Sequence, residues 1–318
     1  MTAVLAAAGG TSLALLPDDR AHEVAPATTD TRLVWARGSA LYVGGEPNDV
    51  GHPVLALART SLGYVFADNQ GRVFSYVNGS VNQVGATSAK YPRLVTDPSG
   101  PLAGWVESGG GQASYIVVDL ANGATWRFDA PAAKSSDQDQ FYALDSHTAY
   151  WDDPRGTVAV NIPDGATRVV DTTRHHPVRA ARGKVLLFQA DDGARVGADF
   201  ADAVRLGALD GEIADGSMAT ISPTGRWVSL DADQPAVYDT ATGTRITMDV
   251  DGRWFATGYE WLDDTTLAMI AVREEDPKAD AELLTCAVPQ GDCRPAANLG
   301  PWQDLEGHAA FPVGEKLG

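Results

Sequence analysis

At 318 residues and 33.5 kDa the chain is too long for one small module and suits one large repeat domain or two ordinary ones. With 44% hydrophobic and 21% charged residues, it is neither polar enough for a disordered chain nor apolar enough for a multi-span membrane protein. Its 24 Lys and Arg against 42 Asp and Glu leave a net charge of −18, which repels phosphate backbones and excludes nucleic-acid binding.

Residues 2–16 form an uncharged apolar run of small residues, stopped by Pro17-Asp18-Asp19-Arg20. The run is shorter than the roughly 20 residues a membrane-spanning helix needs. It matches the apolar region of a signal peptide or part of an anchor, although no Lys or Arg precedes it. A Pro/Thr-rich tether at 25–31 follows. Residues 1–31 are therefore expected to be a signal- or anchor-like segment with its tether, and 32–318 one folded domain.

From there one pattern recurs: a short apolar strand, an Asp/Pro/Gly turn, an apolar strand, a loop, a strand ending in Asp, a Gly turn and a last strand. Clear copies cover 93–128, 141–170, 218–248 and 259–294, and weaker ones 54–84 and 178–206. The final turns align on Gly79, Gly123, Gly165, Gly243 and Gly291, with spacings of 44, 42, 78 and 48 residues. The mean period is about 42 residues, the period of a four-stranded propeller blade. Asn122-Gly123, Asp164-Gly165 and Thr242-Gly243 suit tight outer hairpins. Asp97-Pro98-Ser99-Gly100 and Ser222-Pro223-Thr224-Gly225 are placed to join the two inner strands of their blades.

Second strands such as 102–106 and 184–188 are near-continuous apolar runs, as expected of strands buried on both faces. No 12-residue segment shows a helical apolar stripe free of Gly or Pro, and the nearest, 272–284, is broken by Pro277. The fold class is therefore all-β: a β-propeller of four-stranded antiparallel blades. Six copies lie between 54 and 296. The N-terminal hairpin segments 33–36 and 41–44, together with a C-terminal strand within 307–313, make a seventh blade that closes the ring. Seven blades are expected, with six as the alternative.

The two cysteines, Cys286 and Cys293, flank the turn Pro289-Gln290-Gly291-Asp292 and face each other across a hairpin. No Cys or His cluster supplies a zinc site, and the spacing is not Cys-x-x-Cys. A structural disulfide is the reading, and it points to an oxidising compartment. The alternative is a reduced pair in an intracellular hairpin.

The turns Ser222-Pro223-Thr224-Gly225-Arg226, Tyr238-Asp239-Thr240-Ala241-Thr242-Gly243 and Asp97-Pro98-Ser99-Gly100 resemble those of TolB-like and WD-repeat-like bacterial propellers. The resemblance spans 33–313, lacks the pairing of a Gly-His with a Trp-Asp in one repeat that is typical of eukaryotic WD repeats, and fails in the 178–206 blade. It implies a rigid, exported scaffold used for protein contacts, and no chemistry.

Motifs for chemistry are sparse. His22, His52, His147, His175, His176 and His308 show no two-ligand spacing, and the adjacent pair His175-His176 points to opposite faces of an extended chain. No G-x-S-x-G elbow or phosphate loop occurs. Acidic pairs at Asp152-Asp153, Asp191-Asp192, Asp231 with Asp233, and Asp263-Asp264 fall at turns that favour Asp for bonding its own backbone. Asp191, Asp192, Asp199 and Asp202 are the calcium candidates, but they do not match the D-x-D-x-D-G loop; 137–139 is a looser one. Trp105, Trp151, Trp227 and Trp261 read as packing between blades. Trp254, Phe255 and Trp302 read as lying in connections between blades and are the candidate binding residues.

The expectation is a monomeric, non-enzymatic propeller outside the cytoplasm, secreted or anchored at the outer face of the membrane. It binds a protein or envelope component and needs no cofactor. The alternative is a hydrolase or lyase using carboxylates in the propeller channel, assisted by calcium.

Overall fold

The computed structural model describes residues 32–109, 112–129, 141–172, 176–190, 193–206, 219–230, 235–305 and 307–315. The segment 1–31, the loop 137–139, His175, Asp191, Asp192, Asp231 and Asp233 lie outside the described residues.

The chain opens with β1 (Val34–Arg37), β2 (Ala40–Val43) and β3 (Glu46–Asp49). Six complete blades follow. The first is β4 (Ala56–Thr60), β5 (Gly63–Ala67), β6 (Arg72–Val77) and β7 (Ser80–Ala86). The second is β8 (Leu94–Thr96), β9 (Leu102–Gly109), β10 (Gln112–Asp119) and β11 (Thr125–Asp129). The third is β12 (Phe141–Asp145), β13 (Thr148–Asp153), β14 (Gly156–Asn161) and β15 (Thr167–Asp171). The fourth is β16 (Val178–Arg182), β17 (Val185–Ala190), β18 (Gly193–Gly197) and β19 (Val204–Arg205). The fifth is β20 (Thr220–Ile221), β21 (Trp227–Leu230), β22 (Ala236–Asp239) and β23 (Arg245–Thr247). The sixth is β24 (Phe255–Asp263), β25 (Thr266–Val272), β26 (Asp280–Ala287) and β27 (Cys293–Pro301). The last strand, β28 (Ala309–Ala310), pairs with β1 to give a seventh sheet in the order β28-β1-β2-β3. The molecule is a seven-bladed β-propeller whose seventh blade is built from both ends of the domain, as the sequence implies. The N-terminus supplies three strands rather than a hairpin. The extra one, β3, carries Pro47 and is almost wholly exposed, so it has no apolar alternation and sits where proline is tolerated, on a sheet edge.

The core is divided among the junctions between blades. Seven hydrophobic clusters each draw residues from two neighbouring blades. Inner strands are therefore buried on both faces, which is why β9 and β17 read as continuous apolar runs. Trp105, Trp151, Trp227 and Trp261 are all buried at these junctions. Blades approach closely where one of them carries glycine: a Cβ at Gly85 of β7 would lie 2.3 Å from the Trp105 ring of the next blade. The aligned outer-turn glycines all adopt positive φ, between 69° and 84°. They supply the left-handed residue that the turn between third and fourth strands needs.

Cys286 and Cys293 stand opposite each other in the β26–β27 register and form a disulfide with Cα atoms 4.0 Å apart. A loop this short gives about 2–3 kcal/mol in the chain-entropy account. The Cys286→Ser/Cys293→Ser variant is expected to lose roughly that much stability in denaturant titration. Thiol titration of the unfolded, unreduced protein should find no reactive group.

The seam of the ring carries its own polar ties. Gly314 donates to Leu57 O at 2.7 Å and accepts from Leu94 N at 2.7 Å, so residues 313–315 bridge β4 and β8. Arg93 pairs with Glu315 at 3.1 Å. Across the short β28, Arg59 of β4 pairs with Glu260 of β24, and it also donates to Arg32 O at 2.6 Å. Burial pushes the Glu260 carboxyl up to about 7 despite the Arg59 guanidinium beside it. Its protonation therefore favours the fold. That contribution is complete below the ordinary 4.5 and lost as the pH rises through about 7. Glu260→Gln, a neutral stand-in, should gain in melting temperature relative to the parent between about pH 5 and about pH 8. A difference that falls with pH would show the ionised pair to be net stabilising instead.

Candidate functional site

The site grows from three chain segments at the junction of the fifth, sixth and seventh blades. The connection from β23 to β24 turns through Asp251 and Gly252, both at positive φ, and delivers Arg253 inward and Trp254 outward. The Trp254 backbone N–H donates to Arg273 O at 3.2 Å, tying it to the loop between β25 and β26. After β27 the chain makes a single 3-10 turn at Trp302–Asp304. There Trp302 N donates to Ala279 O at 2.9 Å and Gln303 N to Pro277 O at 2.8 Å, which tie the turn to the same loop.

The result is a run of three aromatic rings. Trp254 and Phe255 have centroids 6.3 Å apart, and Phe255 and Trp302 6.4 Å apart. Phe255 and Trp302 are half-buried against the cluster between the sixth and seventh blades. Trp254 is 56% exposed, near the upper end for any large apolar side chain among the described residues. The three residues singled out from the sequence are thus brought together, with one correction: Phe255 is the first residue of inner strand β24, not part of the connection. Its side chain is half-buried because a strand end at this junction must still cover the core beneath it.

A charged brace holds the shelf from below. Arg253 donates through Nε and one terminal nitrogen to Glu282 Oε2 at 3.1 and 2.7 Å, and Arg273 donates to Oε1 at 3.0 Å. Burial raises the Glu282 pKa, but the bonds and charges of Arg253 and Arg273 outweigh it and hold the carboxyl below its ordinary value. Sequence reading missed this brace, because its partners lie 29 and 9 residues apart and no local pattern links them. The only signal was an arginine directly before an exposed tryptophan.

Of the acidic pairs, Asp152 and Asp153 are a correction: they end strand β13, paired with Thr157 and Gly156, because the turn is confined to Pro154-Arg155. Asp263 does behave as a turn residue, as do other aspartates at the blade turns. Asp97, Asp119, Asp164, Asp239 and Asp263 each accept a bond from the backbone N–H two residues on, at 2.7–2.9 Å. Asp264 instead accepts from Thr224 N of the neighbouring blade at 2.7 Å. Bonds from Arg32, Thr265 and Thr266 overcome the effect of burial on Asp263 and hold it at about 2. Of the calcium candidates, Asp199 and Asp202 share an exposed turn, where Asp199 Oδ1 accepts from Asp202 N at 3.1 Å. No group of three metal-ligating side chains exists among the described residues. His176 stacks on Phe200 at 3.7 Å and bonds Asp171 through Nδ1 at 3.2 Å.

The central channel holds a cavity of about 130 Å³, lined in part by Arg93, Tyr142, Arg179, Arg182 and Glu315. Three buried carboxyls adjoin its lining residues, Asp97, Asp145 and Glu260, but none lines it. Asp97 accepts from Ser99 N, Ser99 Oγ and Arg182 through Oδ1, and from Ser146 N through Oδ2. It is fully committed to organising two turns. Burial and the Asp97 charge raise the Asp145 pKa, against the pull of Arg182.

No protein-family model matches the chain, and no curated protein sequence is similar to it. Solved structures are. A chain of the mitotic checkpoint complex aligns with a TM-score of 0.51 at 13% identity, over 90% of this chain and 88% of that one. TolB from Acinetobacter baumannii aligns at 0.44 with 12% identity, over 84% and 68%. Dihydro-heme d1 dehydrogenase NirN, solved with DHE, aligns at 0.49 with 13% identity, over 87% and 77%. The first of these likenesses shows the propeller fold.

Proposed function

We propose that the chain is a non-enzymatic propeller scaffold working outside the cytoplasm, and that the shelf of Trp254, Phe255 and Trp302 is where it takes a protein or envelope component. The observation that carries the reading is Trp254, 56% exposed at the end of a run of three aromatic rings, its main chain tied to Arg273 and its neighbour Arg253 bonded to Glu282. A large aromatic with few rotatable bonds, presented to water from an ordered main chain, is the kind of side chain that anchors an interface. The disulfide supports an oxidising location. Asp97, beside the channel, is spent on two turns and Arg182, and Glu260 is paired with Arg59, which supports the scaffold reading over a hydrolase working through channel carboxylates.

The test is affinity capture of the full chain from an envelope extract of its own source, alongside Trp254→Ala and Trp302→Ala. A stoichiometric partner lost with either variant is expected. A partner retained by both would move the site elsewhere on the ring.

A further inference from the structure

A second groove, of about 460 Å³, lies between the third and fourth blades, away from the aromatic shelf. Its polar lining is Thr148, Tyr150, Asn161, Thr167, Arg168 and Lys184. Tyr150, Ala159 and Arg168 are successive cross-strand partners on β13, β14 and β15, so one row runs from the buried phenol to the exposed guanidinium. Ala159, the small member of that row, leaves the floor open. The fourth blade faces it with Gly183, Lys184 and Ala198, small or flexible residues where the fifth blade carries the turns Ser222-Pro223-Thr224-Gly225 and Asp239-Thr240-Ala241-Thr242-Gly243.

The charge of this lining runs against the rest of the molecule. In a chain of net charge −18, the groove has two cations and no carboxylate in its lining. Arg168 and Lys184 are exposed and form no ion pair among the described residues, whereas Arg59, Arg182, Arg253 and Arg273 are all paired. Asp164, in the adjoining turn, is turned to Ala166 N. Burial first, then the Asp145 charge, raises the Tyr150 pKa to about 12, with Arg168 opposing. Its hydroxyl therefore keeps its proton and stays a donor. Cations without partners beside neutral donors, in a concave site, are the arrangement that recognises an oxyanion.

We propose that this groove binds the oxyanion group of a small ligand, phosphate or carboxylate, between Arg168 and Lys184, with the Tyr150 hydroxyl and Asn161 amide as neutral donors. The same group reaches the site either on a free ligand or as a lipid headgroup.

Calorimetric titration of the full chain with inorganic phosphate tests it. Saturable binding is expected, weakened about tenfold or more by Arg168→Gln or Lys184→Gln and by a smaller factor by Tyr150→Phe. Arg294→Gln removes the same charge from an exposed site on β27 and should leave binding unchanged. Melting temperatures of the variants verify that they fold. Co-sedimentation with phosphatidylglycerol vesicles, set against phosphatidylcholine, then assigns the source: sedimentation lost in Arg168→Gln means a headgroup, and none means a free ligand. Absence of saturable binding, or equal weakening by Arg294→Gln, would overturn the proposal.

Discussion

Deleting residues 307–318 is expected to abolish the cooperative thermal transition of the propeller. The deletion removes β28, the inner strand of the seventh blade, and with it the pairing of Ala36 with Ala310 and Arg37 with Ala309. It also removes the bridge from Gly314 to Leu57 and Leu94, and the pair between Arg93 and Glu315. β1 is left with an open edge toward the channel, and the ring loses the closure that a propeller relies on. A milder probe of the same seam is Phe311→Ala. Phe311 is 0% exposed and packs on Tyr259 with centroids 5.2 Å apart, so its truncation should cost about 3–5 kcal/mol. Calorimetry of both variants checks the expectation; a deletion variant that melts like the parent would show that the ring does not depend on its closing strand.

Trp105→Ala should be comparably severe, for a different reason. Trp105 is 1% exposed and lies between the first two blades against the space that Gly85 leaves. Removing it opens a cavity that rigid sheets on both sides cannot collapse to fill. The expected loss is about 3–5 kcal/mol, a fall in melting temperature on the order of 10 °C for a domain of this size. Trp254→Ala, by contrast, should stay within about 0.5 kcal/mol of the parent, because its ring is mostly in water. Equal effects from the two would contradict the division of tryptophans into packing and presentation.

That division was legible in the sequence because it follows from the repeat. Trp105, Trp151, Trp227 and Trp261 recur at the inner strands or their entry, where both faces are covered, and an interblade position leaves a large aromatic nowhere else to go. The Gly turns were legible for a similar reason: in five blades a left-handed residue at a fixed place leaves a glycine in register, and the fourth blade, whose outer turn has none, was a weaker copy. The outer strands were not. β3, β7 and β19 are exposed along most of their length, so no apolar alternation marks them, and only their turns betray them. The brace under the shelf was equally invisible, since Arg253, Arg273 and Glu282 meet only through the pairing of β25 with β26 and the turn before β24. The same holds for the cationic groove, where Tyr150, Ala159 and Arg168 are neighbours by register rather than by sequence.

The most direct test of the proposed role is site-specific photo-crosslinking from two faces of the ring. A photoreactive amino acid replaces Trp254, at the start of an inner strand, or Leu62, in the turn that follows an inner strand and therefore on the opposite face. Leu62 is 40% exposed, so both positions are open to solvent. Irradiation with an envelope extract from the protein's own source should give a discrete adduct from position 254 and none from position 62. The same adduct from both, or adducts from position 62 alone, would contradict a scaffold that presents the Trp254 shelf to its partner.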